Sequence, residues 1–200
     1  MNRLLISFFL ILSPLVIFSQ NFTRQDSLRG SITPQRAWWD LTYYHLDISV
    51  DPDNRFIKGS NTVQYRVLEG NDEMQIDLQE PLKITKITQD GNELNFRSEG
   101  YSHFIKLKKK QIKDKIKSIK IHYEGNPKIA VNPPWDGGLT WTRDFNGKHF
   151  VANSNQGIGA SIWWPNKDHM YDEVDSMLIS VNVPKDLVNV SNGRLKKIDE

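Results

Sequence analysis

Residues 40–50 read DLTYYHLDISV, and their apolar side chains recur at alternate positions, with Tyr44, Leu46, Ile48 and Val50 on one face and His45 and Asp47 opposite. A period of two marks a strand buried on one side. Asp51–Arg55 (DPDNR) is a turn by composition. Ile57–Val67 then repeats the pattern, with Val63, Tyr65 and Val67 on one face and Gln64 and Arg66 on the other. Alternating runs continue at 74–78, 82–88, 103–107, 118–123, 148–153 and 177–183, and Asp90-Gly91-Asn92 signals a hairpin leading into Leu94 and Phe96. The best helical candidate, Gln111–Lys117, is at most a turn or two. Strands spaced this regularly without intervening helices predict an all-β fold, an antiparallel sandwich or saddle-shaped sheet.

Upstream of these strands lies a different kind of sequence. Residues 1–20 (MNRLLISFFLILSPLVIFSQ) carry one charge, Arg3, before an apolar run from Leu4 to Phe18. That order is the one a secretory signal peptide has, and cleavage after Ser19 would leave Gln20 first. A run of about 15 residues falls short of the roughly 20 needed to span a bilayer as a helix, so a stable membrane anchor is not expected. The expectation is an exported protein, periplasmic or secreted. Residues 21–34 read as a linker and 35–200 as the β domain.

The chain's 26 Lys+Arg against 24 Asp+Glu give a formal charge of +2, which argues against a nucleic-acid partner. Zero cysteines exclude a disulfide scaffold, a thiolate metal cluster and a cysteine nucleophile. The lysine run from Lys106 to Lys120 alternates with Ile105, Leu107, Ile119 and Ile121, so it reads as the solvent face of two strands. Five histidines (His45, His103, His122, His149, His169) never form H-E-x-x-H. The acidic cluster Asp168, His169, Asp172, Glu173 and Asp175 lacks calcium-loop spacing and reads as a loop or helix start. Gly157-Ile158-Gly159-Ala160-Ser161 matches no nucleophile or phosphate motif. Its glycines imply that the backbone passes close to something else.

The strand pattern lapses between 126 and 176, in loops rich in Pro, Gly, Asn and Trp, and long loops of this kind are more often functional than idle. Most of the six tryptophans gather here or at the start of the domain (Trp38, Trp39, Trp135, Trp141, Trp163, Trp164). They suit either packing or an interface.

The segment NSNQGIGASIWWPNKDHMYDE resembles one in the zinc aminopeptidase family that includes aminopeptidase N and leukotriene hydrolase. In that family a Gln or Glu stands nine residues before a Pro, followed by a stretch ending in Asp; here these are Gln156, Pro165 and Asp168. PPWDGGLTWTRD and QRAWWDLTYYHLDISVDPDNRFIKGSNTVQYRV resemble the same family's N-terminal domain in a bacterial branch. Asn166, where many members carry Cys, and Val174, where a Pro often follows Asp-Glu, depart from the pattern without touching Gln156.

The resemblance implies an antiparallel saddle-shaped β-sandwich of the aminopeptidase N-terminal domain type, packed on its own C-terminal catalytic domain. It implies substrate-binding roles for Gln156, which would meet the free amine of a peptide, and for Gly157 and Gly159, which would let the peptide backbone approach. Zinc would be the cofactor, bound by the catalytic domain; no catalytic or metal-binding residue is expected in these 200 residues. The C-terminal end is expected to be incomplete, inside a strand region begun by Leu187–Asn192. The alternative from residue chemistry is a stand-alone secreted β-sandwich module binding carbohydrate or protein through its exposed aromatics.

Overall fold

The computed structural model describes residues 22–199, so the signal peptide expected at 1–20 lies outside the described residues. Eleven strands form three sheets. The quoted stretch is β1 (Trp39–Asp51), and it pairs along its whole length with β2 (Phe56–Val67) across the Asp51–Arg55 turn. β8 (Ile116–Gly125) pairs with the other edge of β2, β4 (Lys83–Gln89) with β8, and the two-residue β5 (Asn92–Glu93) closes a hairpin on β4. The second sheet is three-stranded, in the order β3 (Glu73–Asp77), β7 (Ser102–Lys106), β6 (Asn95–Glu99). β9 (Gly138–Arg143) and β10 (His149–Ser154) form a separate hairpin.

The two larger sheets share one core. Leu46, Val63, Tyr65 and Ile119 of the main sheet and Ile76 and Ile105 of the second are fully buried in a single apolar cluster. At roughly 25 cal/mol per Å² of buried apolar surface, these inward faces hold the layers together without any disulfide. The alternation in β1 predicts its burial as far as the bulge at Leu41–Tyr43, where Leu41 and Thr42 both turn inward. The lysines from Lys106 to Lys120 are on the solvent side, while Ile105, Leu107, Ile119 and Ile121 are buried.

The all-β expectation is met, with differences of detail. The sheet is not wholly antiparallel, because β11 (Ser176–Asn182) lies parallel to β1, with His45 opposite Leu178. Parallel neighbours cannot be joined by a tight turn, and the chain returns to β1 only through the crossover segment 155–175 that leads from β10 into β11. Within the stretch read as a linker lies α1 (Arg24–Gly30), a helix that buries Leu28, and α2 (Pro34–Ala37) is a single turn that buries Arg36. The Thr23 hydroxyl accepts from the Asp26 amide and the Asp26 carboxylate accepts from the Thr23 amide, a reciprocal cap on α1. Residues 111–115 form no helix, and 187–192 form no strand. Leu94 is buried but Phe96 belongs to the second sheet, because the chain leaves the β4–β5 hairpin after two residues.

No helix among the described residues is long and apolar enough to cross a membrane. Gly59 leaves no room for a side chain against β1: a Cβ there would sit 2.1 Å from the Asp47 carbonyl oxygen and 2.7 Å from Ile48 Cα. The obstruction is backbone of the paired strand, which cannot swing aside. Gly59→Ala should therefore lower unfolding free energy by about 1–3 kcal/mol, read as a lower urea midpoint at unchanged m-value.

Candidate functional site

Gln156 follows β10 in a tight turn closed by hydrogen bonds from the Ile158 and Gly159 amides to the Asn155 carbonyl, at 3.2 and 3.0 Å. Gln156 and Gly157 are exposed at its tip. Gly157 has φ +73° and Gly159 φ +87°, left-handed conformations that glycine adopts without penalty. Their surroundings differ. A Cβ at Gly157 would meet nothing within 4 Å, whereas one at Gly159 would lie 2.1 Å from Asp168 Oδ2. On the Cβ side of Gly159 the close approach is made by the chain's own Asp168 carboxylate.

The turn is fixed from behind. The Arg29 guanidinium on α1 donates to the carbonyls of Gly157 (3.2 Å) and Ile158 (2.5 Å), and Gln79 Nε2 donates to Ile158 O at 2.8 Å. Gln79 also donates to Ser161 Oγ (2.9 Å), and Ser161 in turn donates to Asp168 Oδ2 (2.5 Å). A 3-10 turn at Ala160–Ile162 then carries the chain into WWPNKD.

Each residue of that motif is bound to the domain's interior. The Trp164 ring meets Tyr44 edge-on at 4.9 Å, and the Pro165 carbonyl accepts from Asn61 at 2.9 Å. Asn166 and Asp77 exchange backbone hydrogen bonds at 2.8 and 3.1 Å. The Lys167 amide donates to the Tyr44 hydroxyl at 2.9 Å. Its ammonium is buried, donating to the Trp39 carbonyl at 2.7 Å and to the Asp172 carboxylate, and lies 3.9 Å from the centroid of the Trp39 ring. Asp172 also accepts from the Leu41 amide, and Tyr171 donates to the Arg36 carbonyl. The acidic segment therefore ties the crossover to β1 and α2, and it starts no helix.

Beneath the motif lies a buried ion pair, Arg36 Nη2 to Asp77 Oδ2 at 2.5 Å, with side chains 0% and 7% exposed. Burial pushes the Asp77 carboxyl up in pKa, against the pull of Arg36, Gln75 and Ser102. Gln75 Nε2 and the Ser102 hydroxyl donate to its other oxygen at 3.1 Å each, and the Asp168 amide donates to Oδ2 at 3.3 Å. Arg36 Nη1 donates to the carbonyls of Leu28, Arg29 and Ser31. One pair thus joins the end of α1, strand β3 and the WWPNKD crossover. Residue spacing gives no sign of it, since Arg36 and Asp77 are far apart in sequence and neither sits in a charged cluster.

Five of the six tryptophans pack: Trp38, Trp39 and Trp164 are in the core, and Trp141 and Trp163 lie against it. Trp135 is 84% exposed, and Phe145 at the tip of the β9–β10 hairpin is 97% exposed. Among the described residues no group of three or more His, Asp or Glu comes together that could hold a metal ion. What the site offers is an exposed carboxamide on a braced turn, able to accept and donate hydrogen bonds but not to move a proton.

No protein-family model matches the sequence, and no curated protein matches it. Solved structures do match in fold. An M1 zinc metallopeptidase from Deinococcus radiodurans superposes with a TM-score of 0.58 at 17% identity, over 74% of this chain and 33% of that one. A mutant of an M1 enzyme from the same organism, bound to a Tyr-Ser-Ala substrate, gives 0.57 at 16% identity over 75% and 34%. Leukotriene A4 hydrolase from Saccharomyces cerevisiae gives 0.60 at 20% identity over 73% and 23%. The chain spans about a third or less of the length of these proteins.

Two outcomes follow from the buried charges. Asp77→Asn leaves Arg36 buried without its counter-ion and should cost about 3–5 kcal/mol, measured by urea unfolding. For Lys167, burial pushes the ammonium down to about 8, against the pull of Asp172, from an ordinary 10.5. Between those values the unfolded chain binds more protons than the folded one, so this group's contribution rises with pH. Below about 8 its penalty is present in full. The stability difference between wild type and Lys167→Met should therefore shift in favour of wild type from pH 8 to pH 10, by up to about 1.4 kcal/mol per pH unit; a flat difference would show that Lys167 keeps its ordinary pKa.

In fold, the described residues are similar to these M1 zinc metallopeptidases and to leukotriene A4 hydrolase over about a quarter to a third of their length, matching an N-terminal domain.

Proposed function

We propose that this chain is the substrate-amine-binding and scaffold domain of an exported zinc-dependent aminopeptidase that removes residues from the amino end of peptides. The observation that carries the reading is the placement of Gln156: exposed, at the tip of a turn whose backbone is bound from behind by Arg29 and Gln79. A carboxamide oxygen accepts a hydrogen bond from a substrate ammonium without adding charge. The open side of Gly157 leaves room for the peptide backbone. Similarity of fold to a metallopeptidase bound to a Tyr-Ser-Ala substrate supports the substrate class.

On this reading, zinc and the chemical step belong to a catalytic domain outside these 200 residues. The chain is not expected to hydrolyse peptides without it. The apolar leader at 1–20 supports export to the periplasm or the medium.

In the full-length enzyme, Gln156→Ala should lower kcat/KM for peptides with a free amine by about 1–3 kcal/mol, the cost of one lost hydrogen bond at a desolvated ammonium. Gln156→Glu should retain activity, since a carboxylate accepts the same bond. Kinetics unchanged in Gln156→Ala would remove this residue from the site.

A second reading, a stand-alone carbohydrate- or protein-binding module, is favoured by the exposed Trp135 and Phe145. Titration of the isolated chain with polysaccharides, followed by tryptophan fluorescence, separates the two. A saturable change abolished by Trp135→Ala supports the module, and no change supports the peptidase domain.

A further inference from the structure

We infer that Arg29 is a positioning residue for the Gln156 turn, so that α1, outside the strand framework, sets where the substrate-binding carboxamide stands. The inference rests on the reading of Gln156 given above. A turn with glycines at two of its last three positions has more conformational freedom than most, and Gly157 touches nothing on its Cβ side. Left alone, such a turn would present Gln156 over a spread of positions. The Arg29 guanidinium reaches across 128 and 129 residues of sequence to bind two successive backbone carbonyls, those of Gly157 and Ile158. Gln79 shares only the second of these, so the Gly157 carbonyl, next to Gln156, is held by Arg29.

An exposed arginine is ordinarily a loose tether, but here its backbone is fixed. The α1 helix is capped by Thr23 and Asp26 and buries Leu28. Arg24 pairs with Glu99 at 2.5 Å, and Gln25 donates to the Glu99 carbonyl at 3.2 Å. At its other end Arg36 binds the carbonyls of Leu28 and of Arg29 itself. The order of support runs from Asp77 through Arg36 to the end of α1, then through Arg29 to the turn.

In the full-length enzyme, Arg29→Ala should raise KM for free-amine peptides about 5–10-fold with kcat held. Arg29→Lys should recover part of that, since an ammonium can still reach one carbonyl. The double variant Arg29→Ala/Gln156→Ala should be no worse than Gln156→Ala alone, because the arginine acts only through the glutamine. Hydrogen exchange on this chain should show faster exchange of the amides at 156–159 in Arg29→Ala, with β2 and β8 unchanged. Additive losses in the double variant overturn the inference. So does an Arg29→Ala enzyme indistinguishable from wild type beside a Gln156→Ala enzyme that has lost affinity. If Gln156→Ala itself leaves KM unchanged, the reading of Gln156 fails, and the exchange measurement alone decides whether Arg29 holds the turn.

Discussion

The Arg36–Asp77 pair sits where three parts of the chain with no sequence proximity must meet. Asp77 ends β3, Arg36 follows α1, and the amide of Asp168 closes on the same carboxylate. Two charges taken out of water repay their desolvation only when their remaining hydrogen-bonding capacity is met. Asp77 meets that condition, with Arg36, Gln75, Ser102 and the Asp168 amide around its two oxygens. Arg36 comes close, spending Nη1 on three carbonyls and leaving only Nε without a partner. Such a centre contributes little net stability compared with a well-packed apolar substitute. Its effect is on geometry: few other arrangements of α1, β3 and the crossover would leave these groups satisfied.

Lys167 does the same for the far side of the crossover. Its ammonium is bound by Asp172, by the Trp39 carbonyl and by the face of the Trp39 ring, and its amide by Tyr44. Burial raises the pKa of that tyrosine, which keeps it neutral. Asp77 lies under one end of WWPNKD and Lys167 within it, so a segment without regular secondary structure becomes as fixed as a strand. The flanking loop can then bear a functional residue, since position is inherited from the parts it is bound to.

The sheet was legible in the sequence because burial on one face writes itself as period two. Val63, Tyr65, Ile105 and Ile119 could each be assigned inward from their neighbours alone. β9 lies in a stretch that reads as loop: Leu139 and Trp141 alternate with threonines, but the prolines and glycines before them mask so short a run. The parallel edge of β11 was not legible, because its direction depends on where the crossover ends. The Gln156 turn could be singled out by resemblance, yet its supports could not. Arg29, Arg36, Gln79 and Asp77 are ordinary polar residues by composition. Only the fold brings them together, and burial of a lone charge leaves no periodic trace.

What the domain can contribute to a reaction is bounded by the chemistry of its exposed turn. A carboxamide has no proton to give or take near neutral pH, and among the described residues no set of metal ligands gathers beside it. Its share is therefore positional: a side chain held in place before the substrate arrives saves the roughly 0.5–1.5 kcal/mol that ordering it on binding would cost, a gain that shows in KM. A flexible turn would forfeit that gain however well its side chain matched an ammonium. This gives a physical reason for a glycine-rich turn to be bound by a guanidinium and a carboxamide on its rear side, and for the arginine's own helix to be anchored by a buried ion pair. Bracing that would be excessive for an ordinary surface loop is proportionate to a loop whose only contribution is where it places one side chain.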